Sequence, residues 1–148
     1  MSDPPPNFSG RSNSPHWTGG FDLKMSLETR AFGGWGESEA ARFLTARGYR
    51  ILDRNVRLRR GEIDLVAYDG DVLVFVEVKA RRGTQYGGAL WAVDARKQRQ
   101  LSRLAVQYLA RERLRDCSCR FDLVLIEESG NGTTTVKLIQ NAFEAQGE

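Results

Sequence analysis

The chain of 148 residues has a single histidine, His16, and it lies in a segment rich in proline, serine and glycine. Ser-His-Asp hydrolases, histidine-ligated metal nucleases and Cys/His zinc fingers all need histidine within the folded domain, so the sequence excludes these classes. Its two cysteines, Cys117 and Cys119, are too close in sequence to suggest a disulfide framework. We therefore expect reduced thiols and a cytoplasmic protein.

Long apolar runs are also absent. No stretch approaches the roughly 18 consecutive apolar residues of a membrane span. The first residues, Met1 to Pro6, contain no basic segment followed by an apolar one, as a secretory signal would. We expect neither a membrane association nor secretion. Hydrophobic residues form 41% and charged residues 28% of the chain, a balance typical of globular proteins.

All four prolines lie within the first 15 residues, among several serines and glycines. A segment of this composition buries too little apolar surface to offset the entropy lost on ordering. We predict a disordered or weakly ordered leader over residues 1–35 and a single folded domain over residues 36–148.

The apolar spacing predicts an α/β fold in the order α-β-β-β-α-β-β, with a mixed central sheet flanked by helices. The first helix is expected over Glu37–Arg47, and Gly48 is expected to end it. The second is expected to begin after Asp94 as its N-cap and to end near Arg115. The apolar runs predict strands over Tyr49–Val56, Glu62–Tyr68, Val72–Ala80, Phe121–Glu127 and Thr133–Ile139.

The third predicted strand changes from apolar to charged along one face. Because side chains alternate along a strand, Leu73 and Phe75 share a face with Glu77 and Lys79. A carboxylate and an ammonium group that end an apolar face are costly unless they are paired or bind a metal. The preceding strand carries Asp64. It lies on the same face of the hairpin as Glu77 and Lys79 if the turn has the favoured length.

The turn between these strands decides whether Asp64 and Glu77 meet. A two-residue loop of Asp69 and Gly70 sets Phe75 opposite Asp64, whereas a four-residue loop sets Glu77 directly opposite Asp64. Both registers bring the two carboxylates to one face, about 4.5–8 Å apart at their Cβ atoms. An unbulged three-residue loop would place them on opposite faces.

Two carboxylates at this distance repel, so one has a raised pKa or both bind a divalent cation. Oxygen ligands without histidine suit Mg²⁺ or Mn²⁺. Such an ion would polarise a phosphodiester and activate water, while Lys79 orients that water or neutralises developing charge. The alternative is that Glu77 and Lys79 form a purely structural ion pair at the end of the strand.

Two further charged residues lie on the apolar stripes of the predicted helices. Glu37 precedes Ala40 and Ala41 by three and four positions, and Lys97 precedes Leu101 by four. Both residues are candidates for the site. The alternatives are a favourable charge at a helix N-terminus for Glu37 and a snorkelling side chain for Lys97.

Arginine dominates the basic residues, with 18 arginines against four lysines and a net charge of +3. Its planar guanidinium fork suits phosphate better than the point charge of lysine does. Several basic residues flank the carboxylates in sequence and are expected to contact a nucleic-acid backbone: Arg57, Arg59, Arg60, Arg81, Arg82 and Lys97. Scattered, solvated arginines are the alternative.

Several short motifs together resemble those of one bacterial family. They are Gly36-Glu37-x-x-Ala40-Ala41-Arg42-Phe43-Leu44, Gly48-Tyr49-Arg50-Ile51-Leu52, Asn55-Val56-Arg57, Gly61-Glu62-Ile63-Asp64-Leu65-Val66-Ala67, Val74-Phe75-Val76-Glu77-Val78-Lys79-x-Arg81, Tyr86-Gly87-Gly88 and Arg120-Phe121-Asp122. On these motifs, residues 34–143 are similar to the YraN-like family. That family resembles archaeal Holliday-junction resolvases and the restriction-endonuclease-like PD-(D/E)xK nucleases.

The resemblance implies a restriction-endonuclease-like α-β-β-β-α-β core. It implies that Asp64 and Glu77 ligate a metal ion, with the Val78 carbonyl as a further ligand. It also implies that Lys79 is the catalytic lysine and that Glu37 is the acid of the first helix. Fold alone does not determine function, so these roles are expectations.

The chain departs from the nominal motif at Ile63, which stands where proline would precede the aspartate. We expect a Mg²⁺- or Mn²⁺-dependent, nuclease-like protein that acts on DNA, with branched or damaged DNA among the candidate substrates. The alternatives are a nucleic-acid-binding module with little turnover and an interaction protein whose carboxylates are structural. A homodimer would suit a symmetric DNA substrate, and the sequence leaves the oligomeric state open.

Overall fold

The structure is a computed structural model that describes residues 23–82 and 93–147, with side chains over residues 34–81 and 93–147. The elements follow one another as α1 (Leu23–Ala46), β1 (Arg50–Leu58), β2 (Gly61–Asp69), β3 (Val72–Arg82), α2 (Ala95–Arg111), β4 (Cys119–Glu128) and β5 (Thr134–Phe143). This confirms the predicted order α-β-β-β-α-β-β. In the part of the chain that the structure describes, no helix is long and apolar enough to cross a membrane.

The strands form one five-stranded sheet in the order β1-β2-β3-β4-β5. Strand β2 pairs antiparallel with β1 and with β3, and β4 pairs antiparallel with β5. Strands β3 and β4 are parallel, and a parallel pair needs a long crossover, which α2 supplies. The predicted mixed sheet and α-β-β-β-α-β core are therefore confirmed.

A helix covers each face of the sheet. On one face, Leu104 and Tyr108 of α2 pack in a core cluster with Phe75 of β3. On the other, Leu44 of α1 packs in a second cluster with Val76. Because neighbouring residues of β3 enter different cores, this strand is buried on both faces, as its nearly continuous apolar sequence predicts.

Helix α1 begins at Leu23 rather than at Glu37, so its predicted start is wrong. Glycines weaken helix propensity by about 1 kcal/mol each, and those near residue 35 hide the helix from sequence analysis. Gly36 is needed for packing, because a Cβ atom there would lie 2.8 Å from the Cβ atom of Ala80 on β3. The helix passes through the predicted boundary at residue 36. Residues 1–22 of the predicted leader lie outside the described residues.

Both predicted caps are confirmed. Gly48, with φ of +93°, follows α1 in the left-handed region, and the N–H of Tyr49 donates to the carbonyl of Leu44 at 3.0 Å. This is the hydrogen bond of a Schellman motif. At the start of α2, the side chain of Asp94 accepts a hydrogen bond from the N–H of Lys97 at 2.8 Å. Neighbouring residues alone define each cap, which is why the sequence predicts both.

Helix α2 ends at Arg111, earlier than the predicted end near Arg115. Arg113 adopts φ of +56°, and this left-handed conformation does not continue an α-helix. Strands β3 and β5 run to Arg82 and Phe143, beyond their predicted ends. The strand assignments are otherwise close to the prediction.

A partly buried polar network ties three strands to Tyr49, the residue that precedes β1. Arg120 on β4 donates to Asp122 at 2.8 Å, to Asp69 at 2.8 Å and to the hydroxyl of Tyr49 at 2.9 Å. The Tyr49 hydroxyl donates to Asp122 at 2.8 Å, and Gln140 of β5 donates to that hydroxyl at 2.8 Å. A network of this kind stabilises a fold only when its members are satisfied, and these residues satisfy one another.

Candidate active site

The hairpin of β2 and β3 positions the predicted carboxylates. Its loop consists of Gly70 and Asp71, because Asp69 is still paired with β3. The predicted loop of Asp69 and Gly70 is therefore wrong by one residue. Gly70 has φ of +59°, and a type II′ turn requires such a positive φ at its first loop position. From this turn the paired register runs as far as Leu65 opposite Val76.

Extended by one step beyond the last pair, this register corresponds to the second of the two predicted arrangements, with Asp64 near Glu77. The carboxylate of Asp64 accepts a hydrogen bond from the backbone N–H of Val78 at 2.8 Å. The side chain thus supplies an acceptor for β3 just beyond the last backbone pair, Leu65 and Val76. Asp64 and Glu77 therefore meet at the open end of the hairpin.

Four carboxylates influence one another at this end of the sheet, and we refer to them as the acidic cluster: Glu37, Glu62, Asp64 and Glu77. Burial raises the pKa of Asp64 well above its usual range, and the charge of Glu77 raises it further. The hydrogen bond from Val78 opposes the rise, whereas Glu37 and Glu62 add to it. Charged carboxylates so arranged destabilise one another unless a cation lies among them.

Two lysines approach Glu77, which is only 7% exposed. The Nζ atom of Lys97 on α2 lies 3.5 Å from its Oε1 atom, and the Nζ atom of Lys79 on β3 lies 3.8 Å away. Both distances are longer than a usual hydrogen bond and correspond to charge contacts. The structure therefore brings Lys79 and Lys97 to the same carboxylate, which the sequence indicated only for Lys79.

Glu37 approaches the same cluster from α1. Burial raises the pKa of Glu37, hydrogen bonding with the side chain of Asn55 opposes the rise, and the charges of Glu62 and Glu77 add to it. Sequence reasoning missed Asn55. Its φ of +50° is unusual within a strand, and asparagine tolerates this left-handed conformation better than most residues. A single polar residue in β1 was too weak a signal to predict this contact.

The predicted metal ligands supply oxygen donors from two adjacent strands. In residues 34–81 and 93–147, no group of three or more His, Cys, Asp or Glu side chains is arranged to hold a metal ion. The predicted set consists instead of the Asp64 and Glu77 carboxylates and the Val78 carbonyl. Because the N–H and C=O groups of one residue in an extended strand point to the same side, that carbonyl faces Asp64, as the Val78 N–H does.

The basic residues predicted to contact phosphate are spread over several elements: Arg57, Arg59, Arg60, Arg81, Arg82 and Lys97. Arg59 and Arg60 form the turn between β1 and β2, and line cavities against α2. Arg57 is exposed between two residues that pack on the α2 side, so alternation turns it to the opposite face. Arg81 is partly buried, and the side chain of Arg82 lies outside the described residues. The structure therefore does not gather all six on one surface.

Comparisons with known proteins identify the family. The sequence model of the uncharacterised protein family UPF0102 matches residues 36–126. The UPF0102 protein STH1475 of Symbiobacterium thermophilum is 58% identical over 117 residues, which cover 79% of this chain and 99% of that protein. This chain belongs to the UPF0102 family. The resemblance to the YraN-like family is thereby confirmed.

Other relatives match the chain over a similar span. A UPF0102 protein of Geobacter metallireducens is 47% identical over 120 residues, covering 81% of this chain and 98% of that protein. The UPF0102 protein Francci3_3586 of Frankia casuarinae is 48% identical over 113 residues, covering 76% and 96%. The segment that the UPF0102 model matches runs from the second half of α1 into β4 and includes the whole acidic cluster.

Proposed function

We propose that this UPF0102 protein is a metal-dependent nuclease that hydrolyses phosphodiester bonds in DNA. One observation carries the proposal: Asp64 and Glu77 lie near each other at the end of the β2–β3 hairpin, with Lys79 beside Glu77. Two carboxylates and a lysine on adjacent strands supply both the cation ligands and the positive charge that phosphodiester hydrolysis needs.

Asp64, Glu77 and the carbonyl of Val78 would hold a Mg²⁺ or Mn²⁺ ion. The donor chemistry fits, because all three are oxygen ligands and Mg²⁺ is commonly bound through one or two carboxylates together with water and substrate phosphate. Burial, and then the charge of Glu77, raise the pKa of Asp64, so a cation beside it would favour its charged form. A divalent ion bound there supplies Lewis-acid polarisation of the phosphodiester.

The protein's own side chains would prepare the reaction. Lys79 can donate a hydrogen bond to the attacking water and offset the negative charge that develops on the phosphate. Glu77 holds the Lys79 ammonium group nearby, and Lys97 restrains the Glu77 carboxylate from the side of α2. Glu37, whose pKa is raised by burial, can accept or return a proton at its carboxyl group.

DNA cleavage tests this function. Purified protein with Mg²⁺ or Mn²⁺ should cut at least one of a linear duplex, a single strand and a four-way junction, and EDTA should stop the reaction. Asp64→Ala and Lys79→Ala should abolish cleavage while the circular dichroism spectrum stays unchanged. Lys137→Ala, which removes an exposed lysine from β5, is the matched control and should cut like wild type. Equal cleavage by all preparations would indicate a contaminating nuclease and contradict the proposal.

A nucleic-acid-binding module with little turnover is the second candidate. The contacts of Glu77 with both Lys79 and Lys97 favour it, because they partly neutralise the cluster without a metal ion. This candidate predicts salt-sensitive DNA binding and no cleavage with any divalent ion. If the protein shows neither binding nor a metal-dependent thermal shift, the acidic cluster is structural and the protein belongs to the class of interaction proteins.

A further inference from the structure

A concave surface lies between the β1–β2 turn and α2. Its two adjoining cavities, of about 350 and 480 Å³, share the lining residues Arg60, Gln100 and Arg103. We call this surface the arginine cleft and define it by Arg59, Arg60, Arg99, Gln100, Arg103 and Gln107. Sequence analysis expected Arg59 and Arg60 to contact nucleic acid, but it did not place the residues of α2 against them.

Two glutamines of α2 hold the turn in place. Gln107 accepts a hydrogen bond from the N–H of Arg59 at 2.9 Å and donates one to the carbonyl of the same residue at 3.2 Å. Gln100 donates to the carbonyl of Arg60 at 3.2 Å. A Cβ atom at Gly61 would lie 2.9 Å from the Nε2 atom of Gln100, so the turn rests directly on the helix. A backbone held in this way presents its arginines with little further ordering cost on binding.

The arginines of the cleft carry positive charge that no acidic side chain of the described residues offsets in an ion pair. Among the described residues, none of the four arginines of the cleft forms an ion pair: Arg59, Arg60, Arg99 and Arg103. The carboxylate that lines one cavity, Asp94, is engaged as the N-cap of α2. Like charges gathered on a concave surface create a positive potential that attracts a polyanion. The cleft therefore has the charge and shape of an anion site.

The lining chemistry favours a phosphate backbone over exposed bases. Arginine forks match phosphate oxygens in a bidentate geometry. Among the described residues that line the two cavities, none is aromatic, so the cleft offers no platform on which the bases of a single strand could stack. We propose that the arginine cleft binds the sugar-phosphate backbone of double-stranded nucleic acid, with Gln100 and Gln107 as positioning residues.

This inference rests on the proposed function and extends it by naming the duplex as the form of nucleic acid bound. Lys97 connects the cleft with the acidic cluster, because it lines one of the two cavities and also lies 3.5 Å from Glu77. A sugar-phosphate backbone held in the cleft would run past the acidic cluster. Contacts confined to phosphates carry no sequence information, so we expect binding without sequence preference.

Fluorescence anisotropy tests the cleft with the full chain in EDTA, using a labelled DNA duplex and the matching single strand over a series of salt concentrations. The double variant Arg60→Ala/Arg103→Ala should weaken duplex binding equally for unrelated sequences. It should also reduce the slope of log affinity against log salt by about 2, since each lost phosphate contact removes about 0.9. Arg115→Ala/Lys137→Ala, which removes two exposed cations outside the cleft, should bind like wild type.

Gln107→Met tests the positioning role, because it removes both hydrogen bonds to the turn and leaves every cation in place. We expect it to raise KM for duplex cleavage while kcat stays within about twofold, as for loss of preorganised binding. If kcat and thermal stability both fall, the role of Gln107 is merely structural, and this assignment is contradicted.

The two proposals fail separately. Unchanged affinity and salt slope in Arg60→Ala/Arg103→Ala, or tighter binding of the single strand than of the duplex, would overturn the role of the cleft even if cleavage persists. If duplex binding in EDTA depends on the cleft but no divalent ion supports cleavage, the nuclease function is overturned. The role of the cleft in duplex binding is then still supported.

Discussion

Replacing Asp64 with asparagine should stabilise the metal-free protein and abolish its cleavage of DNA. Burial raises the pKa of Asp64, and the charge of Glu77 raises it further, so the charged carboxylate destabilises the folded state. Asparagine has almost the same size and keeps an oxygen that can accept the N–H of Val78. The substitution therefore removes the repulsion and keeps the hydrogen bond.

The size of the gain follows from the pairing of the two strands. The Cβ atoms of directly opposed residues in an antiparallel pair lie about 4.5–5.5 Å apart, and we use this range for the two carboxylates. Two unit charges about 5.5 Å apart repel by about 0.8 kcal/mol at a dielectric constant of about 80, and by about 3 kcal/mol at about 20. Lys79 and Lys97 offset part of this repulsion at Glu77. We therefore expect a gain of about 1 kcal/mol, which raises Tm by about 2–4 °C in a chain of this size.

The gain should depend on pH. The pKa of Asp64 is higher in the folded than in the unfolded protein, so the folded state binds more protons between these two values. The stability of the wild type then falls as pH rises through this window. Below the ordinary pKa of aspartate, the carboxyl group is protonated in both states and asparagine brings little advantage. The difference in Tm should accordingly grow from acid to neutral pH.

Thermal melts followed by circular dichroism in EDTA measure this difference. Asp71→Asn is the matched control, because Asp71 is an exposed acid in the loop of the same hairpin, and its Tm should equal that of the wild type. If Asp64→Asn melts below the wild type at neutral pH, the carboxylate stabilises the fold without a cation, and the reasoning is refuted.

Two further predictions concern the scaffold, and denaturant unfolding measures both. Asp122→Ala should lower the free energy of unfolding by about 3 kcal/mol, because Arg120 would lose the carboxylate that accepts two of its hydrogen bonds; a loss below about 1 kcal/mol would show that the network contributes little. Gly36→Ala should cost about 1–3 kcal/mol, since its Cβ atom would lie 2.8 Å from that of Ala80. Gly34→Ala is the control, with open space around the added atom, and an equal loss there would contradict the packing argument.

The elements that the sequence predicts well depend on nearby residues. Gly48 and Asp94 cap their helices through hydrogen bonds to residues within five positions, so each cap is visible as a local motif. The sequence does not predict the start of α1, because glycines lower helix propensity. The packing that requires a glycine involves a residue far away in the chain. Gly36 is explained by Ala80 on β3, a contact that only the folded structure shows.

The acidic cluster was predictable although the turn was not. The observed register differs from that of an Asp69-Gly70 loop by two residues, and a shift of two keeps every side chain on the same face of a strand. Asp64 and Glu77 therefore meet in either case. The arginine cleft depends instead on contacts of Gln100 and Gln107 with residues at least 40 positions away. Their spacing of seven places both on one face of α2, but nothing local indicates what that face contacts.

A shared cation between Asp64 and Glu77 is tested most directly by Mn²⁺ binding, measured by electron paramagnetic resonance on the full chain. The wild type and Asp71→Asn should bind Mn²⁺ alike. Asp64→Asn and Glu77→Gln should each lose more than the roughly 10–100-fold in affinity that loss of an outer-shell partner costs. Equal affinity in all four proteins would show that the facing carboxylates hold no cation, and it would contradict the proposed nuclease.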